Sequence, residues 1–124
     1  MTMKMLAIDL GKQSFHLHGI DAHGVVISRK VSRTKLENAV AELEPDIVAM
    51  EACASAHHWG RQFRAAGLEV RLVNPRFVKA FVRGSKNDAV DAEAIYDAAS
   101  RPTMRFVPVK TTEQQDLQSL HRVR

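Results

Sequence analysis

Met5-Leu6-Ala7-Ile8-Asp9-Leu10-Gly11-Lys12 is the stretch on which the reading of this chain turns. An apolar run stops at one carboxylate, and a glycine follows two positions later. A short apolar run ended by a turn residue reads as a buried strand. Asp9 then sits where that strand leaves the core. Charge is seldom buried unless it is paired or holds a metal. The question for the rest of the chain is which other carboxylates reach Asp9.

Around this strand lie 124 residues, 45% apolar and 26% charged, which is the balance of one domain with a sizeable core. No apolar run approaches the roughly 18 residues of a membrane helix. Met1-Thr2-Met3-Lys4 leads straight into the strand and does not resemble a signal peptide. Cys53 is the only cysteine, which excludes an internal disulfide and fits a reducing compartment, so a cytoplasmic location is expected. The net charge of +4 and a pI near 9.6 favour a polyanionic partner. Between Arg61 and Lys86 seven basic residues face a single acid, Glu69. Arg76, Lys79, Arg83 and Lys86 in that stretch are the candidate contacts to a nucleic-acid backbone, against the plainer reading of a solvated surface.

Downstream of Gly11, Phe15 and Leu17 alternate with His16 and His18, and a turn at Asp21 to Gly24 leads to a further strand at Val25 to Val31. The first three strands are expected to form an antiparallel meander, with His16 and His18 on a polar surface. Leu36, Val40 and Leu43 then recur at helical spacing, and Thr34 with Glu37 has the pattern of a capping box. After Glu44-Pro45, the run Asp46-Ile47-Val48-Ala49-Met50-Glu51 is a second apolar strand ending at a carboxylate. A helix from about Ala56 to Ala66 follows, closed by Gly67, with Trp59 and Phe63 on its apolar face. Cys53 reads as a small core residue, and His57 and His58 as surface or capping residues. Leu68 to Val73 is another strand, and Phe77, Val78, Phe81 and Val82 mark a short amphipathic helix. A polar loop from Gly84 to Asn87 precedes a helix opening at Asp88, with Asp91 one turn along the same face. Capping alone explains acids at such positions. Arg105 to Pro108 is a short extended piece, and Thr111-Thr112-Glu113 caps a last helix.

Three antiparallel strands followed by alternating helices and strands give a mixed α/β sheet with helices on both faces. That is the layout of the ribonuclease H-like fold, with the first strand central and the fourth parallel beside it. Asp9 and Glu51 then leave neighbouring strand ends, and the helix carrying Asp88 and Asp91 crosses the same edge. Four carboxylates at one point repel one another unless cations intervene. Magnesium or manganese, as hard divalent ions, prefer oxygen ligands. Two such ions activate the attacking oxygen and stabilise the leaving oxygen of a phosphodiester. Without these four ligands, ten acids remain against 18 bases, a surface suited to a nucleic-acid backbone.

The chain resembles the N-terminal RuvC-like catalytic domain of the DEDD-type insertion-sequence transposases, a domain similar to the RuvC Holliday-junction resolvase. Ile8-Asp9-Leu10-Gly11-Lys12, Met50-Glu51-Ala52, Val73-Asn74-Pro75 and Lys86-Asn87-Asp88-Ala89-Val90-Asp91-Ala92 carry the resemblance, in order, over nearly the whole chain. Asn87 stands where the family more often has threonine. The resemblance implies that Asp9, Glu51, Asp88 and Asp91 are a metal-binding catalytic tetrad for two magnesium or manganese ions. It also implies DNA as substrate, a structured guide RNA and a homo-oligomer. A C-terminal domain would supply a serine nucleophile. Residues 1–110 are then the catalytic domain, and 111–124 the start of a helical linker toward that further domain. A fragment lacking it is expected to be incomplete for activity. Three alternatives stay open: a RuvC-like nuclease or resolvase, an inactive nucleic-acid-binding module, and an actin-like or sugar-kinase ATPase. The last shares a phosphate motif like Asp9-Leu10-Gly11-Lys12-Gln13-Ser14 but needs a second, Asp-x-Gly motif, which this sequence lacks.

Overall fold

In the computed structural model, which describes residues 3–84 and 88–122 without the side chains of 88 and 118–122, five strands pair into one sheet. They are β1 (Met3–Leu10), β2 (Ser14–Asp21), β3 (Val26–Ser32), β4 (Pro45–Glu51) and β5 (Glu69–Val73), ordered β3-β2-β1-β4-β5. β1, β2 and β3 form the expected antiparallel meander. β4 lies parallel to β1, and β5 parallel to β4. Parallel neighbours require a crossover, and the helices α1 (Leu36–Leu43) and α2 (Ala54–Ala65) provide it. α3 (Pro75–Lys79), α4 (Asp88–Ala99) and α5 (Thr112–Arg122) follow.

Strand alternation divides the core into two layers. On one face Leu6, Ile8, Phe15, Leu17, Val48 and Met50 meet Leu36 and Val40 of α1 and Trp59 and Phe63 of α2. On the other, Met5, Ala7, Ile47, Ala49 and Val73 meet Val78 of α3 and Ala94, Ile95, Ala98 and Ala99 of α4. Burial of each large side chain such as Leu6 or Ile8 contributes about 1.5–3 kcal/mol. The second layer is built of small residues: Ala7, Ala49, Ala92, Ala98 and Ala99 are all fully buried. α4 is thereby seated close against β1 and β2.

Gly11 and Gly67 are among the glycines required by geometry. A Cβ at Gly11 would collide with the Ser14 carbonyl oxygen inside the β1–β2 turn. Gly67 follows the last turn of α2 with φ +91°, a left-handed conformation that glycine adopts without strain. Beyond α4, residues 104–110 form a strap across the edge of β5. The Val107 N–H donates to the Leu72 carbonyl at 2.8 Å, making an antiparallel bridge, which agrees with the extended reading of Arg105 to Pro108.

Four local expectations are corrected. The Thr34–Glu37 capping box does not form; Arg33–Lys35 is a 3-10 turn, and Thr34 Oγ1 lies 3.2 Å from Ser32 Oγ instead. Cys53 is exposed, because the backbone is still extended there as it enters α2. His18 is buried beneath α4, edge-on to Tyr96 with ring centroids 5.4 Å apart. His57 is also buried, and its Nδ1 accepts the Lys110 N–H at 3.0 Å. Among the described residues, no helix is long and apolar enough to cross a membrane.

Candidate metal and nucleic-acid site

Asp9 and Glu51 owe their positions to the two central parallel strands. Ile8 is in register with Met50, so the residues one step further, Asp9 and Glu51, leave the sheet side by side. By alternation both stand on the face of Ala7 and Ala49, beneath α3 and α4. Both are half-buried. Parallel strands deliver their side chains to a common edge at their C-terminal ends, where α/β sheets bind ligands.

α4 crosses that edge with its first turn. Asp91 is half-buried there and lines a cleft of about 380 Å³ together with Asp9, Glu51, Pro75, Val78, Lys79 and Val82. Three of the four predicted acids therefore share one cavity. Asp88 is the first residue of α4, and its side chain lies outside the described residues. Among the described residues, no three acid, histidine or cysteine side chains are close enough together to hold one ion. Gathering them on a cation thus requires side-chain rotation or a contribution from Asp88. Among the described residues, every lining side chain that can ligate through oxygen is a carboxylate, and neither sulfur nor imidazole lines the cleft. This is the donor chemistry that magnesium and manganese take.

The candidate cations divide. Lys79, at the end of α3, lines the cleft itself. Arg76 is exposed on the same helix, whose start is fixed by Asn74: its Oδ1 accepts the Arg76 N–H at 2.9 Å. Arg83 reaches back to Asp97 of α4 at 3.9 Å, a long and exposed pair of small energetic weight. Lys86 lies outside the described residues.

Sequence reasoning places His16 on the surface, yet it is the cross-strand partner of Asp9 and is half-buried, with Nε2 2.8 Å from Ser28 Oγ. The period-2 pattern puts it on the correct strand face. What the pattern lacks is the register that brings that face beside Asp9. On the same face, burial holds the His18 imidazole below its ordinary value; Glu93 and Asp97 oppose this, and His16 adds to it.

A three-strand meander continued by parallel β4 and β5, with helices on both faces and acids at the central strand exits, defines a ribonuclease H-like domain. A model of the DEDD transposase family of the IS110 type, described as transposase, matches residues 6–124, and the chain belongs to that family. It is 53% identical to a probable family 20 transposase of Pseudomonas aeruginosa over 100% of this chain and 37% of that protein. It is 49% identical to the transposase for insertion sequence element IS1328 of Yersinia enterocolitica, over 97% of this chain and 36% of the relative. With the transposase for IS1111A of Coxiella burnetii the identity is 47%, over 98% and 34%. The chain spans little more than a third of the length of these curated relatives.

Proposed function

We propose that this chain is the N-terminal catalytic domain of a transposase that cuts and rejoins DNA phosphodiesters, using magnesium or manganese held by Asp9, Glu51, Asp88 and Asp91. The observation that carries this reading is the shared cleft of Asp9, Glu51 and Asp91 at the exits of two adjacent parallel strands. Asp9 and Glu51 stand at the centre of the sheet and fix two donors in advance. α4 brings the third across the same edge, and Asp88 opens that helix one turn earlier. Bound divalent ions supply activation of the attacking oxygen and stabilisation of the leaving oxygen.

Lys79 on the cleft wall neutralises a phosphate entering it, and Arg76 extends the positive charge outward along α3. The nucleophile is assigned to a region beyond this chain, a serine in a C-terminal domain that residues 111–124 lead toward. Residues 1–110 are then the catalytic unit. The working assembly is a homo-oligomer in the cytoplasm that takes a structured RNA as guide. Support for these assignments comes from family membership and from the order of the four acidic motifs.

Titration of manganese while following thermal unfolding tests the site. Saturation at one hundred times Kd stabilises a folded protein by about 2.7 kcal/mol. A clear rise in Tm for the wild type, absent in Asp9→Asn, is expected. A wild-type chain that does not respond, or an Asp9→Asn variant that responds equally, would sink the proposal.

A further inference from the structure

The row of side chains through the cleft continues past Asp9 to the edge of the sheet. Asp9 pairs with His16, and His16 pairs with Lys30. On one face the order is therefore Lys30, His16, Asp9, Glu51. The alternate β3 residues Ile27 and Val31 pack into the opposite layer, which fixes Lys30 on the α4 side. Here β3 is open: Ser28, Lys30 and Ser32 are exposed, whereas α4 packs on β1 and β2. His16 links the two halves through its hydrogen bond to Ser28. Lys12 and Gln13 are exposed in the turn just before Ser14, the cross-strand partner of Ser32.

We propose that this strip, from Lys12 and His16 over Ser28, Lys30 and Ser32, carries a single DNA strand away from the carboxylate cleft. The proposal rests on the cleft acting on DNA and adds the route of the substrate. Its chemistry is that of a phosphate backbone: two ammonium groups, hydroxyl donors and an imidazole, with no acidic residue among the β2 and β3 positions of this face. Glu93 and Asp97 of α4, which act on His18, bound the strip on its other side. A polyanion is therefore directed outward over β3 and away from α4. Neighbouring strands are about 4.8 Å apart, so Lys30 stands about 10 Å from Asp9. Lys79 lies on the opposite wall, so the strand is held by cations on both sides of the acids.

The test is fluorescence anisotropy of a labelled single-stranded DNA oligonucleotide with the 124-residue chain over a series of salt concentrations. Lys30→Glu should weaken binding several-fold and lower the slope of log K against log salt by about one. Lys12→Glu combined with Lys30→Glu should lower it by about two. Lys35→Glu, an exposed cation in the 3-10 turn outside the strip, serves as control and should change affinity less than about twofold. Unchanged affinity and slope in the double variant overturn the route. So does an equal loss in Lys35→Glu, or binding of an RNA oligonucleotide with none of DNA. Manganese stabilisation of Lys30→Glu is measured in parallel. If it is retained while DNA binding falls, the strip is separated from the metal site. If wild-type DNA binding is insensitive to Lys30 while the metal response is intact, the route alone is wrong.

Discussion

Acid should loosen this fold through His57, and the structure sets the sign and the scale. The imidazole is buried in α2, and its Nδ1 accepts the Lys110 N–H at 3.0 Å, which requires that nitrogen to be unprotonated. Burial lowers its pKa, and the adjacent charges of Lys110 and Arg61 act in the same direction. The unfolded chain therefore takes up the proton more readily than the folded one. The stabilisation is fully present above about pH 6.5, the ordinary histidine value, and is lost as pH falls below it. One such group contributes a slope of at most about 1.4 kcal/mol per pH unit. An asparagine side chain at this position offers an oxygen near the Nδ1 site without titrating, so His57→Asn keeps the acceptor and removes the proton. His57→Ala removes both and leaves the Lys110 N–H without that partner, at about 1–3 kcal/mol. His18 shifts in the same direction and for the same main cause, so His57→Asn should reduce the acid sensitivity and not abolish it. Thermal unfolding of the three proteins from pH 7 to pH 5, above the main carboxylate range, separates the cases. A slope in His57→Asn equal to that of the wild type would refute the reasoning.

Two further outcomes follow from packing and capping. Ala49→Leu places a large side chain in the alanine layer under α4. It should cost about 1–3 kcal/mol by overpacking in urea unfolding, and displacement of α4 should weaken the manganese response further than the stability loss alone. Asn74→Ala removes the cap of α3; a loss of about 1 kcal/mol is expected, with weaker DNA binding because Lys79 sits in the last turn of that helix. A variant as stable as the wild type, with the same DNA affinity, would show that α3 is held by Val78 and not by its cap.

Much of the layout is legible in the sequence because it is local. Apolar runs ending at Asp9 and Glu51, the Gly67 stop and the first-turn acids of α4 each have a short-range signature. Element order then leaves few topologies. The two histidine misreadings share a cause in contacts made far along the chain. His57 has the local signature of a first-turn surface residue because its partner, Lys110, is 53 positions away. His18 alternates with core residues as a polar-face residue should, and only the seating of α4 on that face buries it. The small neighbours of Cys53 point it to the core, although the turn out of β4 carries it to the surface. For the site, the residue types and their order predict a common edge, and Asp9, Glu51 and Asp91 line one cleft there. The register that adds His16 and Lys30 to the row is not visible from periodicity, which assigns faces but not partners.

The strap that crosses β5 at Leu72 bears on how these molecules meet one another. A sheet grows into a fibre only if both outer strands can accept a neighbour. Here one margin is engaged by the chain's own Val107, and β3 is the other. Lateral pairing through main-chain hydrogen bonds is thereby favoured at β3, β3 against β3. Such a pair would bring Lys30 of each copy to the same face of the seam, where the two like charges repel, whereas Arg29 lies on the opposite face beside Glu42 at 3.5 Å. An incoming DNA strand removes that repulsion, so the residues that discourage self-association also favour the polyanion.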